Sequence, residues 1–353
     1  MRIVGIDPGT GSFDFFGMDN DKVIIDTSVA VPDVAKDPKI LLETVREVFP
    51  LDLIVGPSGY GLPVTPISRM NESELDLMVP DDKSIPLYDG IRMVLRLMKQ
   101  EKFPVCFTPG VIHLPTVPAY RKANKLDLGT ADKVCCAALA IRDQSERLKI
   151  APNKTSFIMV EIGFAFNACL AVQGGEIVDG KGGTSGGPGF LTMGSMDSEL
   201  AIRLGKFPGT VLFTGGAKDM SRNPNLMPEQ LPDYPEALNM LIESALKDAA
   251  SLAAIMEKPK EVIITGRLTR IPRIIQALSE KLARFGPVQI AQRRARNAKE
   301  AAEGAYIIGE GLSQGRYQPI VNSLKLAEAS GTMFDYVLVP GFTAPAGLTP
   351  SQR

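Results

Sequence analysis

The chain has 353 residues, which at roughly 150 residues per domain makes about two domains. Its 39 Lys and Arg against 40 Asp and Glu give a formal net charge of −1. That is no basic excess to bind a phosphate backbone, so nucleic acid is not an expected partner. The single His, His113, excludes metal sites built on His pairs and leaves one ring for any Ser-His-Asp or Cys-His mechanism.

The N-terminus enters a strand at once. Residues 2–7 (RIVGID) lack the long apolar core of a signal peptide. No uninterrupted apolar run of about 18 residues occurs, so no membrane partner is expected. A soluble protein of the reducing cytoplasm is expected. PGTGS leads into a second strand, FDFFGMD; Asn20-Asp21 is a turn signal, and KVIIDTSV is a third strand. Helical spacing covers 37–49 and 88–100, with a buried strand at 51–56 between them that ends in PSGYGLP. His113 sits in Pro-punctuated FTPGVIHLPTVPAY and reads as structural.

A helix is expected over 128–144, with Thr130 as its N-cap and Cys135 and Cys136 as buried apolar thiols. With Cys106 and Cys169, these form no CxxC pair. A polar linker at 150–155 divides the chain into domains 1–150 and 151–339, followed by a loose tail at 340–353.

The second half begins like the first: strand SFIMVEIG, strand FAFNACLAV, a Gly174-Gly175 turn and strand EIVDG. At an offset of 154 residues Asp7 falls on Glu161, Gly9 on Gly163, Asn20-Asp21 on Gly174-Gly175 and Val23 on Ile177. This is an internal duplication. A dense Gly loop at 181–189 follows, then a long helix at 236–257 and the strand EVIITGRLTR at 261–270. A helix at 271–285, the strand PVQIA and a small-residue helix, NAKEAAEGAYIIGEGL, complete the half.

DPGTGS at 7–12 carries the chemistry. A carboxylate ends a buried strand, and the Gly- and hydroxyl-rich turn lets backbone N–H groups approach a polyanion. Asp7 repels phosphate but can hold Mg²⁺, directly or through its water, and the ion then bridges to phosphate. Glu161 with Gly163 repeats the arrangement. The two acids are the expected catalytic metal anchors. Gly9, Thr10, Gly11, Ser12 and Gly163 are expected on the phosphates of a metal-bound triphosphate. No GxxxxGK[ST] loop is present, and Gly9-Thr10-Gly11 leads into a strand, not a helix, so neither a Walker nor a Rossmann site fits.

These residues resemble the superfamily of duplicated ATPases that holds actin, the heat-shock chaperones and the sugar kinases. DPGTGS is similar to its first phosphate motif, EIG at 161–163 to the second, and ITGRLTR at 264–270 to the adenosine motif. The helices beginning at LGTADKV and NAKEAAEG resemble its two connecting helices. The resemblance covers about residues 1–315. It implies an α/β fold of two ribonuclease-H-like domains with a nucleotide cleft between them. It also implies that Gly266 and Arg267 lie beside the nucleoside, Arg267 stacking on adenine or pairing with an acid. Within the superfamily the chain looks most like the archaeal predicted butyrate kinase family, which opens on a DxGTGS hairpin and carries a VDGxGGT loop. The tRNA-modifying members use an HxxxH metal site, which one His cannot build.

The expected activity is ATP- and Mg²⁺-dependent phosphoryl transfer to a short-chain carboxylate. The alternatives are a hydroxyl acceptor, such as a sugar or a pantothenate-like compound, and a non-catalytic ATP-driven switch of the same fold. Asp132, at a helix N-terminus, is either stabilised by the dipole or a base toward a hydroxyl. Lys133 could neutralise an acid substrate. Ser58, Gly59 and Tyr60 are expected on the acceptor side. Gly182, Gly183 and Thr184 are expected there too, in a mobile loop. A small-molecule acceptor is the expected partner, and a homodimer stays an open option.

Overall fold

The computed structural model describes residues 1–56, 59–82 and 84–344. The expected acceptor residue Ser58 and residues 345–353 of the expected tail lie outside them.

β1 (Arg2–Pro8), β2 (Ser12–Asp19) and β3 (Lys22–Ala30) form an antiparallel meander. β4 (Leu53–Val55), β5 (Thr65–Pro66) and β6 (Val105–Phe107) extend it in the order β3-β2-β1-β4-β6-β5, with β4 and β6 parallel to β1. The second half repeats the plan. β7 (Ser156–Ile162), β8 (Asn167–Gln173) and β9 (Glu176–Lys181) form the meander, and β10 (Glu261–Thr265) and β11 (Val288–Ile290) add in parallel beside β7.

The duplication holds residue by residue. β7 starts and ends 154 positions after β1. The β-bulge between Gly17 and Met18 recurs between Ala171 and Val172, at the same offset. The hairpin tip uses Asn20 at φ 52° in one copy and Gly174 at φ 63° in the other, since both turns need a left-handed residue. β1, β7 and β8 are buried on both faces, which is why they read as continuous apolar runs.

The longer helices are α1 (Pro86–Gln100), α2 (Ala131–Leu148), α3 (Pro235–Ala253), α4 (Pro272–Leu282) and α5 (Glu300–Leu312). α3 and α4 pack Leu241, Ala245, Ile274 and Leu278 on one face of the second sheet, against Ile158, Val160 and Ile264. The opposite face presents Phe157, Met159 and Leu170 to a core shared with α2. α5 packs on β1, β2 and β4. The late helix thus packs on the first sheet although it lies within the expected second domain, 151–339. The exchange arises because α2 and α5 cross. A Cβ on Gly304 would overlap the backbone of Cys135, so glycine lets the two helices touch main chain to main chain. Buried Arg142 bonds Glu303 at 3.1 Å across that junction, and Arg147 grips Glu261 with two 2.8 Å bonds at the foot of β10.

His113 is buried, with Nδ1 3.3 Å from the Gly110 carbonyl, and burial pulls its pKa down to about 4. It is a neutral structural ring. All four cysteines are buried free thiols. No described helix is long and apolar enough to cross a membrane.

Candidate active site

A cavity of about 400 Å³ opens between the two sheets, where the ends of β1 and β7 meet the starts of α2 and α5. Each strand delivers an acid and each helix a lysine. Asp7, at the end of β1, lies with Oδ2 2.7 Å from the Lys299 ammonium. Lys299 is the N-cap residue of α5, and its Nζ also lies 3.1 Å from Asp14 and donates to the Ser12 carbonyl at 3.3 Å. Glu161, near the end of β7, lies with Oε1 2.6 Å from the Lys133 ammonium in the first turn of α2. Lys133 is also 2.6 Å from Asp132, whose other oxygen accepts the Thr130 hydroxyl.

The second oxygens matter as much. Asp7 Oδ1 and Glu161 Oε2 are buried and have no hydrogen-bond partner. Asp7, Asp14, Asp132 and Glu161 face two ammonium groups, a formal excess of two negative charges. Burial raises the pKa of Asp7 above the usual carboxylate value. Lys299 opposes the shift, and the Asp132 and Asp14 charges reinforce it. Burial likewise raises Glu161 against the pull of Lys133. Asp132 goes the other way: burial would lift it, but Lys133 and Thr130 hold it below the ordinary value. Both lysines are buried, yet their acids hold them above the usual amine range. Among the described residues, no group of three or more His, Cys, Asp or Glu could enclose a metal ion. The two orphaned oxygens fit a hard divalent cation that keeps most of its water and phosphate ligands.

The two turns share a backbone and differ in side chains. The Gly9 N–H donates to the Ser12 carbonyl at 3.0 Å, and the Gly163 N–H donates to that of Phe166 at 2.9 Å. A Cβ on Gly9 would occupy the position of the Lys299 ammonium. Thr10 and Gly11 lie at the open tip. The Ser12 hydroxyl donates to Asp14 at 2.8 Å. Where the first turn has Thr10, Gly11 and Ser12, the second has Phe164, Ala165 and Phe166. It repeats the acid and the turn but not the hydroxyls.

Other expectations also change. Thr130 occupies the N-cap position of α2 but its hydroxyl bonds Asp132, not the helix N–H groups. The Lys133 ammonium is held by Asp132 and Glu161, so it is not a free counter-charge for a substrate. The Arg267 guanidinium stacks on Phe164, 5.4 Å from the ring centroid, and reaches Gly11. It makes no ion pair among the described residues, so its stacking partner is a protein ring. Gly266, at φ 100°, sits so close to the Ile162 carbonyl that a Cβ would come within 2.5 Å of it. The Gly loop is pinned: Asp127 accepts from Thr184 N–H at 3.1 Å, and Asp248 from Gly187 N–H at 2.7 Å. Gly183 and Thr184 line the cavity, as do Gly59 and Tyr60. Gly182 packs against the Asp127 carboxylate.

Lys299, Asp14 and Asp127 escaped the sequence reading. Lys299 had a signal: it opens α5 much as Lys133 opens α2, in the two helices already paired by their small residues.

The fold can be set beside solved structures. Acetate kinase from Entamoeba histolytica superposes with a TM-score of 0.60 at 10% identity, covering 89% of this chain and 100% of that one. A propionate kinase from Francisella tularensis subsp. tularensis SCHU S4 gives 0.58 at 14% identity, covering 86% and 98%. Porphyromonas gingivalis acetate kinase gives 0.55 at 13% identity, covering 80% and 88%. At these identities the likeness is one of fold: the duplicated, actin-like α/β architecture. Within it, the chain belongs to the family described as Protein of unknown function (DUF1464), whose model matches residues 5–339. No curated protein matches the sequence.

Proposed function

We propose that this protein transfers the γ-phosphoryl group of ATP to a short-chain carboxylate, as the resemblance to predicted butyrate kinases suggests. The carrying observation is the state of Asp132, the residue placed to act as a base. Both its oxygens are engaged and its pKa is lowered, so it is poorly suited to deprotonate a hydroxyl. A carboxylate acceptor is already ionised at neutral pH and needs no base.

In this reading the first turn supplies backbone N–H groups to the phosphates at Thr10 and Gly11, the Gly9 N–H being taken by the Ser12 carbonyl. Asp7 Oδ1 and Glu161 Oε2 would hold Mg²⁺, through its waters. Bound there, the ion would neutralise phosphate charge. Lys133 and Lys299 each hold one oxygen of these acids and leave the other without a partner, and Arg267 lines the cavity with no acid partner among the described residues. An acceptor carboxylate oxygen forms the new bond to the γ-phosphorus as the bond to the β-phosphate oxygen breaks. The electron pair leaves on ADP, and no proton moves. The residual negative charge of the cleft disfavours free polyphosphate, so ATP binding should require the divalent ion.

The test is incubation with ATP, Mg²⁺ and a panel of carboxylates and alcohols, with hydroxylamine to trap acyl phosphates. Trapped hydroxamate is expected. A phosphorylated alcohol would move the assignment to a hydroxyl kinase. ATP binding without acceptor-stimulated turnover would mark a switch protein.

A further inference from the structure

The second turn carries Phe164, Ala165 and Phe166, three to five residues after Glu161, where the first has Thr10, Gly11 and Ser12, and all three line the cavity. The Phe166 ring meets Phe213 edge-on, with centroids 5.5 Å apart. Phe213 and Leu212 belong to an excursion of the second half that reaches across the cleft. There the Gly209 N–H bonds the Asp82 carboxylate, and a Cβ on Gly209 would lie 3.4 Å from Ile85. Met78, Val79 and Ile85 of the first half face the same cavity. An apolar wall therefore begins at the acid of the second turn and is closed by side chains from both halves. Nothing in acetyl or propionyl transfer needs so much apolar surface, and phosphates gain nothing from it.

We propose that this wall is the acceptor subsite and that it selects a carboxylate with a branched or extended apolar chain, of isovalerate size or larger. The inference rests on the carboxylate-kinase reading and deepens it: the duplicated turn has divided its labour, one copy cradling phosphate and the other seating the acyl chain. Each methylene seated on the wall should raise kcat/KM roughly fourfold.

The experiment is hydroxamate trapping over a ladder of acids from acetate through butyrate, isovalerate, hexanoate and phenylacetate. It is run on the wild type, Phe213→Ala and Leu212→Ala, with ATP affinity measured for each. The expected result is a rising ladder, isovalerate exceeding acetate by more than about 30-fold in kcat/KM. That ratio should shrink about fivefold or more in at least one of the variants that still binds ATP. A flat or falling ladder, or a ratio unmoved in both variants, overturns the subsite while hydroxamate formation leaves the carboxylate-kinase reading standing. No hydroxamate from any acid, with ATP bound, overturns both.

Discussion

The turn after β1 and the turn after β7 share one plan and differ most at their tips. Both close with the same backbone hydrogen bond, follow a buried acid, and present that acid to a lysine from the start of a connecting helix. One tip is glycine and hydroxyl; the other is phenylalanine. Backbone geometry and buried charge pairing are expensive to alter, because each depends on several partners at once, whereas a turn side chain with few partners can change alone.

The largest test of this comparison concerns the acids. Asp7→Ala should lower kcat/KM by about 10³, roughly 4 kcal/mol of transition-state stabilisation. Glu161→Gln should cost about tenfold less, which a Mg²⁺ titration of steady-state phosphotransfer would show as a shift in metal requirement. Equal losses would make the two copies functionally equivalent and break the division of labour. Because burial raises the Asp7 pKa in the fold, its ionised form weakens the native state as pH climbs past its unfolded value. Asp7→Asn should therefore unfold at higher urea than the wild type at pH 7 while losing activity.

The lysines come next. Lys299→Met and Lys133→Met each leave buried carboxylates uncompensated, and each should lose about 3 kcal/mol in urea denaturation. Combining Lys299→Met with Asp7→Asn should recover part of the loss, since the pair is coupled. A loss confined to one lysine would show that only one copy depends on its pairing.

His113 lies outside both turns and sets the background against which acid effects are read. Its folded pKa of about 4 is below the unfolded value, so the unfolded chain takes up more protons between about pH 6.5 and 4. Stability is fully present above that window and should fall by about 3 kcal/mol as pH drops through it. The raised acids act with the opposite sign. A urea-midpoint profile of His113→Gln should be flatter there than that of the wild type.

The smallest effect belongs to Asp132. Asp132→Asn should change kcat by less than about tenfold, near 1.4 kcal/mol, with a carboxylate acceptor. A loss of several orders of magnitude with an alcohol acceptor would return it to the role of base.

Much of this was legible in the chain. The 154-residue offset placed both meanders, and helical spacing placed α1 to α5, because period and burial are local properties. Asp7 and Glu161 followed from their positions at strand ends. The helix exchange could not be read, since it depends on which sheet a helix returns to. The partners of Lys133 and the hold of Asp127 on the Gly loop were hidden for the same reason: they join residues distant along the chain. Asp14 was visible as a strand residue, but nothing marks an inward-facing carboxylate until its lysine is in place.

The contact of Gly304 with Cys135 has a mechanical meaning. The two helices meet main chain to main chain there, and the Arg142–Glu303 pair ties them together beside that contact. They cannot slide closer, because main-chain atoms already meet. Such a crossing is a spacer set at its minimum: a single methyl group placed there would force the two helices apart, and with them the two lysines that hold the acids.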